Sequence, residues 1–343
     1  MKVRLMLDLK LSLKMTKVWM FIKLVCIILL PANLYAMGQN NRSNELSFYS
    51  IRGSSAVGLV RLFEEVPDLG SFNLRMETLA NADLLASRFI SGEARIGILP
   101  PNMAAKIASS GIDIRVAAVI GTGMLSLLTL EPNISAISDL RGVNVYIAGQ
   151  GATPDFVFRR ILREYGINPQ EDIDLLYALS PPEIAQSLIA GRITTALLPE
   201  PFASMARMGN HNLRTVSDIQ EEWAVIAGGN YPGHYTGYYP MTVLVVDGSF
   251  ADEHPDVINS LLREVRNSIE WVTANPQEAG ELVEKHELGI SSAVITAAIP
   301  QSAYVFIPAS EARYTMETLF NVFLEYDPLS IGAQLPSDSF YLD

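Results

Sequence analysis

Two segments of the sequence share one pattern, and together they decide the fold. The first is Ile90-Ser-Gly92-Glu-Ala-Arg-Ile-Gly-Ile-Leu99-Pro100-Pro101, and the second is Ile189-Ala-Gly191-Arg-Ile-Thr-Thr-Ala-Leu-Leu198-Pro199-Glu200-Pro201. They align without a gap, residue 90 on residue 189, at an offset of 99. A pattern that returns at this distance indicates two structural units of the same topology.

Each copy of the pattern predicts a helix that is ended by a glycine. The helices are expected at about 81–91 and 180–190, the second with Ser180 as its N-cap. Gly92 and Gly191 follow, because glycine readily takes the left-handed conformation that a helix C-terminus commonly needs. The short apolar stretches that come next, 96–99 and 193–198, predict buried strands closed by proline.

The segments upstream of the two copies are also alike. Phe48-Tyr-Ser-Ile51 predicts a strand that leads into a glycine loop and a helix. Val143-Asn-Val-Tyr-Ile147 leads in the same way into a loop and a helix that Gly166 ends. Each half therefore has the order strand, glycine loop, helix, strand, helix, strand. This alternation predicts an α/β fold with two lobes, each a mostly parallel sheet flanked by helices.

The two lobes are expected to be joined by two crossover strands. One crossing is predicted at about 121–130, and the other is the β-rich return at 241–246. We therefore assign residues 44–125 and 240–343 to a discontinuous lobe 1 and residues 126–239 to lobe 2. Two crossings between two lobes predict a cleft that a hinge can close.

Residues 1–36 differ in composition from the rest of the chain. They carry six basic residues and one acidic residue, a charge of +5. The apolar run 24–30 and the small residue Ala36 complete the pattern of a secretory signal peptide. An uncleaved membrane anchor is the alternative, Met15 is a second candidate start, and lipidation at Cys26 has no supporting motif. We predict export to the periplasm or another extracytoplasmic space.

The remaining chain is strongly acidic. The 343 residues carry 37 acidic and 25 basic side chains, a net charge of −12, so the part after residue 36 carries −17. Such a charge repels phosphate backbones, and nucleic acid is not expected as a partner. A hydrophobic content of 49% with 18% charged residues excludes a disordered chain. We expect an ordinary folded protein that acts as a monomer.

The two glycine loops are the first candidate ligand contacts. In open α/β sheets, ligands bind beyond the carboxyl ends of strands, where backbone N–H groups of helix N-termini point outward. Plain helix capping is the alternative at each loop. The candidates are Arg52, Gly53, Ser54, Ser55 and Ala56 in lobe 1 and Gly151, Ala152 and Thr153 in lobe 2.

Turns and a loop supply the second group of candidates. Asn102 offers a donor and an acceptor, Glu200 an acceptor for an amine or amide, and Phe202 a ring for stacking. Tyr235 lies in the segment 230–240, whose four tyrosines and one histidine predict a lid over a flat ligand. For each of these residues, simple turn formation or loop packing is the alternative.

Known enzyme signatures are incomplete in this sequence. The segment Gly149-x-Gly151-x-x-Pro154 has proline in place of the third glycine of a dinucleotide-binding loop. The segment Gly53-Ser-Ser55-Ala-Val57 lacks the closing glycine of a nucleophile elbow. The zinc-protease motif, which begins like His286-Glu287, needs a second histidine four residues after the first, but position 290 is isoleucine. No catalytic residue, metal site or cofactor is therefore predicted.

The order and spacing of the motifs resemble one family of transport proteins. The segments that carry the likeness are Asp139–Ile147, Gly149–Pro154, Gly191–Leu198, Pro199–Phe202 and Phe250–Pro255. Across about residues 45–343 the chain is similar to the substrate-binding proteins of ABC importers for nitrate, sulfonates, taurine and thiamine pyrimidine precursors. The resemblance implies a type II periplasmic-binding-protein fold that captures a small-molecule solute between its lobes. It also implies an ABC transporter permease in the inner membrane as partner.

The resemblance leaves the solute open. Members of the family that bind sulfonates and members that bind flat pyrimidines share these motifs. Here the candidate ligand-binding loops are mainly neutral, and Arg52 is the only basic residue in the loop after the first strand. The four tyrosines of the segment 230–240 favour a heteroaromatic or amide ligand. Two alternatives remain. One is an enzyme on the same scaffold, such as a pyrimidine synthase or a menaquinone-precursor enzyme, and the other is a ligand-sensing module of a membrane receptor.

Overall fold

The structure is a computed structural model that describes residues 44–227 and 237–342. The predicted signal peptide at 1–36 and the predicted lid residue Tyr235 lie outside the described residues. Nearly all described residues, from 47 to 70 and from 74 onward, belong to one compact unit.

Eleven strands and thirteen helices follow one another along the described residues. The strands are β1 (Glu45–Ile51), β2 (Asn73–Leu79), β3 (Ile96–Leu99), β4 (Ile114–Thr122), β5 (Leu125–Thr129), β6 (Asn144–Ile147), β7 (Asp174–Leu176), β8 (Thr195–Pro199), β9 (Arg214–Asp218), β10 (Pro240–Asp247) and β11 (Ala303–Pro308). The helices are α1 (Ser54–Val57), α2 (Val60–Glu64), α3 (Ala82–Ile90), α4 (Pro101–Ser109), α5 (Thr153–Glu164), α6 (Pro181–Ile189), α7 (Phe202–Gly209), α8 (Ile219–Ala227), α9 (Gly248–Glu253), α10 (Pro255–Ala274), α11 (Pro276–Lys285), α12 (Ser292–Ala298) and α13 (Ala309–Tyr326).

The first sheet has six strands in the order β11-β4-β10-β3-β1-β2. We call this sheet with its helices lobe 1. β1 and β3 pair in parallel, whereas β10 pairs antiparallel with β3 and β4, and β11 pairs antiparallel with β4. Therefore β1, β3 and β4 run in one direction, and the returning strands β10 and β11 run in the other.

The second sheet has five strands in the order β7-β6-β8-β5-β9, and with its helices it forms lobe 2. β6 is parallel to β7 and β8, while β5 is antiparallel to β8 and β9. Four of the five strands thus run in the same direction. Two helix-flanked sheets confirm the predicted α/β class with two lobes. The lobe 1 sheet is mixed rather than mostly parallel, because the returning strands β10 and β11 pair antiparallel with β3 and β4. The lobe boundaries at 125/126 and 239/240 stay a prediction.

The helix caps and the helix-ending glycines of the repeated pattern lie where the sequence predicts them. The Asn81 side chain caps α3 by accepting the Leu84 N–H at 3.1 Å, and Ser180 caps α6. Gly92 and Gly191 end these helices with φ values of 73° and 65°. The second repeated strand starts at residue 195 rather than 193. None of the described helices combines the length and the apolarity that a membrane span needs.

One apolar core runs through both lobes. The Phe156 ring of α5 lies 5.2 Å from the Phe323 ring and 5.9 Å from the Tyr326 ring of α13. The Arg163 guanidinium lies 4.6 Å from the centre of the Tyr326 ring and also pairs with Glu325. Apolar burial and an ion pair therefore hold α5 of lobe 2 against α13 of lobe 1, in addition to the chain connections.

Lobe 2 contains a carboxylate whose ionisation supports the fold. The Asp172 carboxylate accepts the Asn168 N–H at 2.8 Å and pairs with Arg141. The Asn168 hydrogen bond, with help from the Arg141 charge, holds the pKa of Asp172 below its ordinary value. A carboxyl group with a lowered folded-state pKa stabilises the fold above its unfolded pKa of about 3.9 and loses this effect as the pH falls through the folded value.

We therefore expect Asp172→Asn to weaken the acid dependence of stability. Its melting temperature should lie below that of the natural protein at pH 7, and the two should converge between pH 4 and pH 2. Asp174→Asn is the control, because Asp174 is exposed and makes no ion pair among the described residues. Thermal unfolding followed by circular dichroism across this pH range measures both variants. Parallel curves for Asp172→Asn and the natural protein would contradict the role of this carboxylate.

Candidate functional site

Several chain segments of lobe 1 meet at one edge of its sheet. β1, β3 and β4 run in the same direction, so their carboxyl ends lie at this edge. β10 and β11 begin there, because Pro240 and Ala303 both lie opposite Thr122, the last residue of β4. The loops after β1 and β3, which hold Arg52 and Asn102, therefore rise from the same edge.

Lobe 2 has an equivalent edge. β6 and β8 end there, followed by the loops that hold Thr153 and Glu200. β5 begins at this edge, because its first residue Leu125 lies opposite Pro199. β9 ends there as well, since Ser126 lies opposite Asp218.

The two edges are joined by a connector of two residues, Gly123 and Met124, between β4 and β5. Because one residue spans less than about 4 Å, the connector brings the carboxyl ends of the two sheets together. The Glu200 N–H donates to the Met124 carbonyl at 2.9 Å, which ties the loop after β8 to the connector. We call the two carboxyl edges with this connector the junction.

Gly123 leaves no room for a side chain. A Cβ atom at this position would lie 2.1 Å from Gln220 Oε1 and 2.7 Å from the Tyr239 ring. Tyr239 packs edge-on against the buried Trp223, with ring centres 5.6 Å apart. The connector between β4 and β5 is thus packed directly against the segments at residues 218–223 and 237–240 that lead back to lobe 1.

The predicted residues of the lobe 1 loop have mixed roles. Gly53 has a φ of 115°, and a Cβ there would meet nothing within 4 Å, so the backbone faces open space. Ser54 is half-buried and Ala56 is buried. The Ser55 hydroxyl donates to the Ile51 carbonyl at 2.7 Å and accepts the Ile51 N–H at 3.2 Å, and it closes the loop itself.

Arg52 remains the one charged group of this loop. Its side chain is exposed. Its aliphatic part lies against Gly289, where a Cβ atom would be 3.2 Å from Arg52 Cδ. Its backbone N–H donates to the Leu79 carbonyl at 2.9 Å.

A buried carboxylate organises the lobe 2 loop. Asp155, which is 1% exposed, accepts the Gly151 N–H at 2.9 Å, accepts the Tyr177 hydroxyl at 2.6 Å and pairs with Arg159. Ala152 is half-buried, and its N–H donates to Gly149. Burial, together with the Asp155 charge, raises the pKa of Tyr177, which therefore stays protonated as a donor.

Glu200 is buried and engaged by its own lobe. Its Oε2 accepts the Ser204 N–H at 3.0 Å, and its Oε1 binds Arg207. The predicted contact with a ligand amine or amide stays a prediction, and it has to compete with these two partners. Phe202, the first residue of α7, is half-buried against the apolar core of lobe 2.

Tyr304 of β11 was not expected from the sequence at this place. Its ring lies against Gly58, where a Cβ would be 3.2 Å from Tyr304 Cδ1. Burial raises the pKa of the Tyr304 hydroxyl, and the Glu200 carboxylate raises it further. A charge in lobe 2 thus acts on a side chain of lobe 1.

Buried polar atoms without hydrogen-bond partners are concentrated at the junction. In native proteins such atoms are rare, and each one needs an explanation. The hydroxyls of Tyr326 and Tyr341 share this property elsewhere in the described chain. At the junction these atoms are Asn102 Oδ1, Thr122 Oγ1, Thr153 Oγ1, Gln220 Oε1, Trp223 Nε1 and Tyr239 Oη.

The junction offers groups that form hydrogen bonds. Asn102 and Thr153 lie in the first turns of α4 and α5, where helix N–H groups favour polar ligands. No group of three His, Asp, Glu or Cys residues in the described chain is placed to hold a metal ion. The sequence predicted Asn102 and Thr153, while Thr122, Gln220 and Trp223 were missed because only the connector brings them together.

Comparison with known proteins agrees with this geometry. A family model described as the NMT1-like family matches residues 94–285, more than half of the chain. No curated protein sequence is significantly similar to the chain.

Three solved structures illustrate the likeness of fold. An ABC transporter protein from Parabacteroides distasonis is 23% identical, with a TM-score of 0.72, and the match covers 88% of this chain and 99% of that one. The aliphatic sulphonate-binding protein SsuA from Escherichia coli is 17% identical, with a TM-score of 0.67 and coverage of 86% and 93%. The nitrate-binding protein NrtA from Synechocystis PCC 6803 is 13% identical, with a TM-score of 0.56 and coverage of 74% and 69%. The chain therefore has the two-lobed type II periplasmic-binding-protein fold.

The Asp155 network yields a direct test of the lobe 2 loop. Asp155→Ala leaves the Arg159 charge and the Tyr177 hydroxyl without their buried partner, and such a loss costs about 3–5 kcal/mol of unfolding free energy. Glu264→Gln is the control, because Glu264 pairs with Arg263 on the surface and should change stability by less than about 1 kcal/mol. Urea unfolding at pH 7 measures both variants. Equal stabilities of the two variants would contradict the organising role of Asp155.

Proposed function

Because this chain belongs to the NMT1-like family, we propose that it is the exported solute-binding protein of an ABC importer. It captures a small organic solute, such as a sulfonate or a pyrimidine-like compound, between its two lobes. It then delivers the solute to a permease in the inner membrane. SsuA and NrtA, whose names record sulphonate and nitrate binding, support this role because they share the fold.

One observation carries the proposal, namely the concentration of unpartnered buried polar atoms at the junction. A ligand that binds between the carboxyl edges supplies partners for groups such as Thr122 Oγ1 and Thr153 Oγ1. Open α/β sheets bind ligands at this position, beyond the carboxyl ends of their strands. The short connector then allows both lobes to contact the same solute.

Hinge closure is the expected mechanism of capture. Rotation about the connector at Gly123 and Met124 changes the distance between the two edges while each sheet stays intact. The packed contact between α5 and α13 limits this rotation, because Phe156 stays buried only while the two helices remain close. The solute favours the closed form by the hydrogen bonds that it makes with both lobes.

The residues at the junction favour binding over catalysis. Both carboxylate oxygens of Glu200 bind partners of its own lobe, so a role as a base would have to compete with Ser204 and Arg207. Of the described histidines, His286 pairs with the surface residue Glu64 at 3.0 Å, the His254 ring packs at a tilt against Phe250, and His211 is exposed after α7. An enzyme that uses His234 or Glu200 stays the alternative, and turnover lost on changing either residue would favour it.

The location of the protein is part of the same proposal. We infer that the leader at 1–36 directs export and is cleaved near Ala36, which leaves the two lobes in the periplasm. Mass spectrometry of the mature N-terminus tests this inference. A chain that retains residues 1–36 in the membrane fraction would support the anchored alternative.

Solute binding should be visible through Trp223, which is buried at the junction. Trp271 is the other tryptophan after the leader. In protein purified from the cell envelope after expression of the full chain, Trp271→Phe isolates the Trp223 signal. We expect at least one compound among nitrate, sulfonates, pyrimidines, flavins and amino-acid-like solutes to change the emission saturably. At one hundred times its dissociation constant, that compound should stabilise the fold by about 2.7 kcal/mol.

A second variant, Trp223→Phe, should lose the fluorescence change and show a smaller melting shift, because it removes one of the unpartnered donors at the junction. If no compound alters either the emission or the melting temperature, the proposed function is contradicted.

A further inference from the structure

We propose that Glu325 of lobe 1 positions the first turn of α5, which carries Thr153, by holding α5 against α13. Its ion pairs with Arg160 and Arg163 favour the arrangement in which the two carboxyl edges lie together. The inference rests on the proposed function, because it gives this contact a part in hinge closure. It follows from one face of α5, which carries both a candidate ligand contact and the contact with lobe 1.

This face of α5 is formed by Thr153, Phe156, Arg160 and Arg163. The four residues are three, four and three positions apart, and this spacing places side chains on the same side of a helix. Thr153 lies at the junction end of the face. It is 2% exposed, and its hydroxyl has no hydrogen-bond partner among the described residues. The part of α5 that meets lobe 1 therefore continues directly into a candidate ligand contact.

The contact of this face with α13 combines charges and aromatic rings. Glu325 pairs with Arg163, and its Oε2 lies 3.4 Å from Arg160 Nη1. The Arg163 guanidinium lies 4.6 Å from the centre of the Tyr326 ring. The Tyr326 ring in turn stacks on Phe156 with an angle of 15° between the ring planes. The ionic and the aromatic parts are therefore formed or lost together.

Glu325 is the charged link between the lobes. Of the ion pairs between described residues, only those of Glu325 join a helix of lobe 1 to a helix of lobe 2. A second contact, of α12 with α7, contains no ion pair within the described part of the chain. The Glu325 side chain is 39% exposed, so dissolved salt reaches its pairs. Salt should therefore weaken the hold of one lobe on the other through this residue.

The direction of the effect follows from the position of Thr153. A rotation that separates α5 from α13 also moves the face with Thr153 away from lobe 1. The contact is therefore complete in the arrangement in which both lobes can reach the same solute. Coupling between two events is reciprocal, so the contact strengthens solute binding and the solute strengthens the contact.

Spin labels on the two lobes measure this balance without a solute. The full chain is expressed with Gln170→Cys in lobe 2 and Glu278→Cys in lobe 1, both at exposed positions. Cys26→Ser removes the only natural cysteine. Protein purified from the cell envelope is measured by pulsed electron paramagnetic resonance in 0.1 M and 1 M NaCl, between which the Debye length falls from about 10 Å to about 3 Å. We expect a major distance that agrees with the structure, and a ratio of minor to major population that rises about two- to fivefold in 1 M NaCl.

Two variants and a matched control assign this response to Glu325. Glu325→Gln keeps the shape of the side chain and removes its charge, so it should show the higher ratio in 0.1 M NaCl and respond little to salt. Arg163→Gln also loses the contact with the Tyr326 ring, and its ratio should rise about five- to tenfold. Glu317→Gln is the control and should behave like the natural protein, because Glu317 pairs with Arg313 of its own helix at 2.8 Å. Melting temperatures show that each variant folds.

Solute affinity supplies a second measurement, which a purely structural role would leave unchanged. The probe is whichever of nitrate, methanesulfonate, taurine, cytosine and riboflavin shifts the melting temperature most, and calorimetry measures its dissociation constant. In Arg163→Gln this constant should rise by the factor by which the major population falls. Glu317→Gln should leave it unchanged.

The opposite results overturn the inference. These are an unchanged distance distribution in Glu325→Gln, a salt response in that variant equal to that of the natural protein, and tighter solute binding in either variant. If no compound binds to any form of the protein, the proposed function fails. The distance measurement needs no solute, so it still shows whether Glu325 holds the two lobes together.

Discussion

The connector of two residues between β4 and β5 is the constraint on which the rest of the structure depends. Gly123 and Met124 leave so little chain that the carboxyl edges of the two sheets must lie close together where β4 passes into β5. The loop after β8 is fixed to this connector through the Glu200 N–H. The connector therefore sets how close the lobe 1 candidates, such as Asn102, lie to the lobe 2 candidates, such as Thr153.

Side-chain packing also restricts how the two lobes are placed relative to each other. Gln220 and Tyr239 fill the space in which a side chain at Gly123 would stand. The contact of Phe156 with Phe323 joins the cores of the lobes at a distance from the connector. In the proposed hinge closure, this buried apolar surface would limit the rotation of the lobes and favour two discrete arrangements over continuous deformation.

Local signals explain why the sequence predicted so much of the fold. Gly92 and Gly191 end α3 and α6 by their left-handed conformation, and Asn81 and Ser180 are the N-caps of the same two helices. These effects act within a few residues, so they can be recognised from the order of residue types. The family resemblance then supplied the arrangement of the lobes, which local signals do not contain.

The roles of individual site residues depend on contacts that local patterns do not reveal. Ser55 was predicted to contact ligand, yet its hydroxyl is used by Ile51 four residues before it. Thr122 is an ordinary residue of a strand and Trp223 of a helix. Trp223 is linked to the connector only through Tyr239, whose ring packs against both Trp223 and Gly123. The Asp155 network was missed for a similar reason, since Tyr177 joins it from the next strand.

A crystal structure of the protein with its co-purified solute tests the central claim most directly. Density for the solute between the two carboxyl edges, within hydrogen-bond distance of Asn102 and Thr153, is the predicted result. The contradicting result is solute bound elsewhere, for example in the groove of about 360 Å³ that α4 and residues 331–340 line in lobe 1.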